Sequence, residues 1–387
     1  MKLHKSLDPH LSSLPVAPRS QTTVAAIYFP GFHSTPVHNA WFGYGWSEWE
    51  LVMKSRPRFE GHRQPILPQW GPFDESDPVW AAKEVDLAAD HGIDAWIMDW
   101  YWYSGVEILN EALDKGFLNA PNRNRMKFGL MWANHTWANN FPAPQSGPSP
   151  QMLPIRHSLE DLDRVIDHCT KHYFSQPNYW MIGGKPWFSF FLLSSLLETL
   201  GGEVAAGRAL ERMRNRAINN GFKGLHLGIF TTNPAEAALA KKLGFDHSTT
   251  YNITESHRHR PGMPFDDYED LMETHAIRWK EFAATGLPHW PVITQGWDVS
   301  SRNHPNEPWP PQRWNWPYGH IAVGNTPERF GQLCHGARRF LSTQPENQRV
   351  LVVNSWNEWT EGSVLLPTAD QGIAPLQALK AALDAPS

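Results

Sequence analysis

The chain has 387 residues, 41% of them hydrophobic and 19% charged, with 34 Lys and Arg against 39 Asp and Glu for a formal net charge of −5. That balance is ordinary for a soluble globular protein and carries no basic stripe, which argues against a nucleic-acid-binding surface. No window approaches the ~18 apolar residues of a membrane span, and the length suits either two or three small domains or one large α/β barrel.

Residues 1–20 lack the apolar core of a secretory signal and read as an N-terminal extension; a cytoplasmic protein or the trimmed form of an exported one is expected. From 21 to 387 the chain reads as one domain in which β-rich apolar runs alternate with amphipathic stretches. Strands are predicted at 24–29, 94–100, 127–132, 186–192, 225–230, 246–251, 290–295 and 349–355. Helices are predicted after them at 78–91, 107–117, 158–173, 203–220, 234–243, 267–284, 326–342 and 372–384. Pro78 and Pro327 suit first helical turns, and Gly92, Gly221 and Gly244 suit helix C-termini. Eight such rounds close most naturally into a (β/α)8 barrel of the TIM type with long βα loops. A doubly wound sheet is the alternative, but no Gly-rich phosphate fingerprint follows the first strand. Cys169 and Cys334 stand in no metal or redox spacing and read as buried free thiols.

The chain holds 20 tryptophans. Such an excess points to aromatic surfaces beside a ligand, because indoles stack on the C–H faces of sugars; a bulky barrel core is the plainer reading. Two long loops carry many of them. Residues 30–77 hold Trp41, Trp46, Glu48, Trp49 and Trp70, and residues 296–325 hold Trp297, Trp309, Trp314 and Trp316. Both are expected to rise from the C-terminal face and wall a cleft there.

The eighth strand runs into Trp356-Asn357-Glu358-Trp359-Thr360-Glu361-Gly362. Once the chain turns, a three-residue offset brings side chains together at roughly 5–6 Å between Cβ atoms. Carboxylates at that range raise each other's pKa and can divide acid and base roles, so Glu358 and Glu361 are the candidate catalytic pair. Other strand ends offer companions for a sugar subsite: Tyr28 and His33 after the first, Asp99, Trp100, Tyr101 and Trp102 after the second. The third gives Trp132, Asn134, His135 and Trp137, the sixth Tyr251, and the seventh Gln295, Trp297 and Asp298. Trp46, Glu48, Trp49, Trp356, Asn357 and Trp359 complete the candidate binding residues.

The run Ser256-His257-Arg258-His259-Arg260 alternates histidines, but its arginines would repel a cation. A solvated basic loop is the expected role, with contact to an anionic sugar substituent as the alternative. No metal or other cofactor is therefore expected, and neither a Gly-x-Ser-x-Gly elbow nor a cysteine nucleophile is present.

Motifs across nearly the whole chain resemble the WbsX-like group of carbohydrate-active proteins, which is similar to glycoside hydrolase family 99. They run from Ile27-Tyr28-Phe29-Pro30-Gly31-Phe32-His33 and Trp41-Phe42-Gly43-Tyr44-Gly45-Trp46-Ser47-Glu48-Trp49 through Gly61-His62-Arg63-Gln64-Pro65, Trp132-Ala133-Asn134 and Gly296-Trp297-Asp298 to the Glu358/Glu361 motif. The resemblance implies a barrel acting on glycosidic bonds of an oligo- or polysaccharide, with retention. It implies that Glu358 assists the substrate's own 2-hydroxyl in attacking the anomeric carbon, and that Glu361 is the acid and then the base. WbsX-like sequences usually continue Trp-Ala-Asn with Glu-Asn-Trp, whereas this chain has His135-Thr136-Trp137. A glycosyltransferase or transglycosylase of surface-polysaccharide synthesis, and a non-catalytic sugar-binding barrel, are the alternative functions.

Overall fold

The computed structural model describes residue 11 and residues 13–142, 151–311 and 318–386; Trp314 and Trp316 lie outside them. Eight strand positions form one parallel barrel: β1 (Thr23–Tyr28), β2 (Ala95–Tyr103), β3 (Lys127–Trp132), β4 (Lys185–Phe190), β5 (His226–Phe230), β6 (His247–Thr249), β7 and β8 (Val350–Asn354). Neighbours in sequence are neighbours in the sheet, and β8 returns to β1 with Val350 opposite Thr23. β7 comes in two pieces. His289–Trp290 pairs with β6, and Val292–Thr294 pairs with β8. Pro291 lies between them and has no N–H for a ladder, so the strand that closes the barrel changes partner there.

The strands are buried on both faces, as parallel strands covered by helices must be; Val24 to Ile27 of β1 have no exposed surface. Large and small residues interlock inside. A Cβ on Gly129 of β3 would sit 2.4 Å from the indole of Trp187 on β4, so glycine is what admits that ring. Trp187 stacks in turn with Trp180 and Trp290. Trp96, Trp132, Trp187, Trp279, Trp356 and Trp359 are among the largest fully buried side chains, so much of the tryptophan excess is core. Cys169 and Cys334 are buried free thiols, as expected.

The crossover helices form where their signals stand. Asp77 and Thr326 accept from the first-turn amides of Pro78–Asp90 and Pro327–Ser342, each with proline in its opening turn. One helix expectation is overturned. β2 continues to Tyr103, reverses through Ser104 (φ 50°) and Gly105 (φ 102°), and pairs antiparallel with Val106–Ile108. Two central residues at positive φ make a hairpin turn that matches strand twist, so residues 107–117 begin as a strand. A π-helical turn, Ala112–Gly116, and a 3-10 turn, Phe117–Asn119, follow in place of a regular helix.

The loop at 30–77 folds across the loop after β7. It contains two short helices, Pro36–Phe42 and Trp49–Lys54. Arg58 donates to the carbonyls of His304, Pro305 and Glu307 at 3.0 Å each, and His62 and Gln64 both reach Oδ2 of Asp298 at 2.8 Å. The two loops thus brace each other.

Candidate active site

At the C-terminal mouth lies a cleft of about 780 Å³ to which every strand contributes. Phe29 follows β1, Asp99 and Tyr101 belong to β2, Met131 to β3, and Phe191 and Thr231 follow β4 and β5. Tyr251 follows β6, Trp297 and Arg302 follow β7, and Glu358 and Glu361 follow β8. Parallel strands share one polarity, which is why residues so far apart in sequence meet at one end.

Arg302 is the centre of the charge arrangement. It is buried, donates from Nη1 to Oε1 of Glu361 at 2.8 Å, and lies 3.6 Å from Glu358 and 3.9 Å from Glu48. Its Nε donates to the Thr360 hydroxyl at 3.1 Å. These carboxylates hold the guanidinium pKa above its ordinary value in spite of burial. Burial pushes Glu358 well above the usual carboxylate range, and Glu361 adds to the push. Burial also raises Glu361, with Arg302 pulling against it. Glu48 is raised by burial too, and accepts from the Thr360 hydroxyl. Three carboxyls around one guanidinium cannot all be ionised in a dry setting.

A second chain of contacts crosses the barrel. The Tyr251 hydroxyl lies 2.8 Å from Oδ2 of Asp99 and 2.8 Å from Oε1 of Glu358. A phenol has one proton to donate, so one of the two carboxyls must be protonated for both contacts to be hydrogen bonds. Burial raises Asp99 well above its ordinary pKa, in keeping with a shared proton. Oδ1 of Asp99, Oε2 of Glu358 and Oε2 of Glu361 have no hydrogen-bond partner among the described residues. All three belong to residues lining the cleft, and a ligand's hydroxyls are natural partners for them.

Of the residues expected from sequence, Glu48, Asp99, Tyr101, His135, Trp137, Tyr251, Trp297, Glu358 and Glu361 line the cleft. The others sit behind it. Tyr28 hydrogen-bonds Glu75 and Glu84. His33 lies 2.8 Å from Glu75 and 3.3 Å from Glu111; burial opposes its charge, but the two carboxylates prevail and raise its pKa to about 9. Trp49 donates to the Phe73 carbonyl, Trp100 to Glu107, Trp102 to Asp161, and Trp132 to the Trp102 carbonyl. Trp46 is half-buried and stacks on Phe141, which does line the cleft. Asn134 holds the amides of Phe191 and Leu192, and Gln295 accepts from the Val364 amide. Asp298 is taken up by His62 and Gln64, while Trp356 and Trp359 are buried in the core. Asn357 accepts from the Phe29 amide at 2.8 Å and donates to the Phe29 carbonyl at 2.7 Å.

The long loops were expected to wall the cleft with indoles. Only Glu48 comes from 30–77, and much of the wall is residues 133–141 after β3. Trp49 of the first loop packs instead against Phe32, Phe73 and Trp359, whereas Trp297 of the second does line the cleft. Arg302 was missed altogether. It is one arginine in a polar loop, and nothing local marks it as buried.

The basic run after β6 is an exposed loop, as expected, with His257, Arg258 and Arg260 at the surface, but part of its charge is paired. Arg258 pairs with Asp270 and Glu273, and His257 faces Thr274 and Glu273.

A closed parallel barrel with buried carboxylates converging on its C-terminal mouth has the architecture of a TIM-barrel protein with a candidate site where such barrels carry theirs. The chain belongs to the family described as glycosyltransferase WbsX, whose model matches residues 24–379. It is 28% identical over 374 residues to the uncharacterized protein WxcX of Xanthomonas campestris pv. campestris, covering 93% of this chain and 49% of that protein. The chain therefore spans about half the length of the curated relatives it matches. Its fold is similar to that of a glycoside hydrolase-like protein, at TM-score 0.61 and 14% identity over 96% of this chain and 97% of the other. It is also similar to the family 99 endo-alpha-mannosidase of Bacteroides thetaiotaomicron, at TM-score 0.51 and 14% identity over 89% and 88%. These likenesses establish the barrel fold. Among the described residues no helix is long and apolar enough to cross a membrane.

Proposed function

We propose that this protein is a glycoside hydrolase that cleaves a bond in a neutral oligo- or polysaccharide with retention, using Glu358 and Glu361. The observation that carries this reading is the charge of the cleft. Glu48, Asp99, Glu236, Glu358 and Glu361 line it, and among the described lining residues the one guanidinium, Arg302, already serves three of them. Such a surface repels a nucleoside diphosphate and suits a sugar hydroxyl that must lose a proton and a leaving oxygen that must gain one.

In this reading Glu358 draws the proton from the substrate 2-hydroxyl and Glu361 protonates the leaving group, then activates water. Glu358 can accept a proton only when ionised. The Tyr251 bridge offers the means: with the proton on Asp99, the tyrosine hydroxyl donates to Glu358 and steadies its carboxylate. Burial raises Glu361 against the pull of Arg302 and raises Glu358 further, so this division of roles requires the proton to pass to Glu361 as substrate binds.

The family description favours a second reading, transfer to a sugar acceptor. A glycan-library digest separates the two. Hydrolysis predicts shortened products that incorporate oxygen from labelled water without any nucleotide sugar. Products formed only when a nucleotide sugar is supplied would overturn the proposal, and Glu361→Gln with undiminished cleavage would overturn the residue assignment.

A further inference from the structure

The segments that follow β6 and β7 meet beside the cleft, where Phe265–Asp267 pairs in parallel with Ile321–Val323. At this junction Glu255, His259 and His320 each bring a ligand atom within 4.8 Å of the other two. Both rings are already oriented. His259 Nδ1 lies 2.9 Å from Oδ1 of Asp266, and His320 Nε2 lies 2.7 Å from the Thr254 carbonyl and 3.3 Å from Oδ2 of Asp266. A carbonyl and a carboxylate accept, so these nitrogens carry the protons. The lone pairs then fall on His259 Nε2 and His320 Nδ1.

We propose that Glu255, His259 and His320 bind one divalent cation of the zinc class, completed by water. Two imidazoles and a carboxylate suit zinc and its neighbours over magnesium or calcium. Metal-ligating histidines characteristically give their other nitrogen to a carboxylate or backbone carbonyl, which fixes the tautomer; both histidines here do so. The carboxylates of Glu255 and Asp266 balance two positive charges. Of the two arginines that argued against a metal in the sequence, Arg258 is engaged by Asp270 and Glu273, and Arg260 is exposed to solvent, which screens its charge. The ion ties the segment after β6, which lines the cleft at Asn252 and Thr254, to the segment after β7 that supplies Trp297 and Arg302. Its role is to fix those two walls relative to each other.

The test uses the full chain, stripped with a chelator and titrated with Zn²⁺ against a chromophoric competitor, with Co²⁺ as a visible-absorption probe. One equivalent should bind and raise the melting temperature. Glu255→Gln and His320→Ala should each weaken binding ~100-fold or more and abolish that rise, and Asp266→Asn should weaken it ~10–100-fold. Glu255 is exposed, so its variant keeps the fold and remains decisive if His320→Ala does not. No uptake by the folded chain, or uptake that Glu255→Gln leaves at the wild-type level, overturns the proposal.

Discussion

Arg302 and Glu361 form a buried ion pair at 2.8 Å that joins the loop after β7 to the turn after β8. The pair sets the charge of the whole cleft. Replacing Arg302 by Met removes the one cation shared by Glu48, Glu358 and Glu361, so each of these carboxyls becomes harder to ionise. The pH–rate profile should therefore move as a whole to higher pH, and turnover at neutral pH should fall by ~10²-fold or more. Arg302→Lys keeps the charge without the forked geometry and should recover part of the loss. An unshifted profile in Arg302→Met would show that the guanidinium does not govern the acid pair.

The two glutamates should respond differently to leaving-group chemistry. Glu361→Gln should suppress natural glycosides far more than activated aryl glycosides, which need little acid assistance. Glu358→Gln should suppress both, and a 2-deoxy substrate should fail with the unmodified enzyme. Mass-spectrometric capture of a glycosyl adduct on either glutamate would replace the neighbouring-group scheme with conventional double displacement.

Tyr251→Phe removes the bridge between Asp99 and Glu358 while leaving the ring. If the bridge sets the protonation of Glu358, the acid limb of the profile should shift while KM changes little. A change in KM alone would make Tyr251 a binding residue and nothing more.

Two tryptophans expected to act alike should separate. Trp297 lines the cleft, and Trp297→Ala should weaken saccharide binding by ~1 kcal/mol. Trp49 packs against Phe32, Phe73 and Trp359. Trp49→Ala should instead destabilise the fold by about 3–5 kcal/mol, with little direct effect on affinity at a temperature where the variant stays folded. Calorimetric titration and thermal melts of both variants decide the matter.

Acid should destabilise the barrel through His275. Its Nδ1 donates to the Leu271 carbonyl and its Nε2 accepts from the Thr294 amide on β7, so the neutral ring is required. Burial lowers its pKa to about 4. A folded pKa below the unfolded value of about 6.5 means stability that is complete above pH ~6.5 and is lost as pH falls towards 4, by roughly 3 kcal/mol. His275→Gln should flatten that part of the melting-temperature curve. An unchanged slope between pH 6.5 and 4.5 would rule this origin out.

Much of the barrel was legible in the chain. Most strands are apolar runs with a helix signal after them, and caps such as Asp77 and Thr326 stand next to their prolines. The hairpin at Ser104-Gly105 escaped, because residues 107–117 contain enough helix formers to mask a two-residue turn. Within the candidate site, the acidic residues at strand ends were readable because β8 stops abruptly at a polar cluster. Burial of tryptophans was not. Trp49, Trp100 and Trp102 occupy positions from which a ring could face inward or outward, and only the packing of neighbouring segments decides which. Arg302 owes its role to three carboxylates from distant segments, a relationship that no local pattern records.

The double hydrogen bond between Asn357 and Phe29 has a consequence for what this position will tolerate. Its amide meets one backbone N–H and one backbone C=O at once, as a residue of an additional strand would. Aspartate keeps the shape but offers two acceptors, setting a carboxylate against a carbonyl. Glutamine keeps both groups but carries them one methylene too far. Leucine fills the volume and leaves a buried amide and carbonyl unpaired. Standing between Trp356 and Glu358, this residue admits a single letter of the amino-acid alphabet. A saturation library across 354–362 should show that narrowness as a gap in folded variants, separate from any loss confined to catalysis.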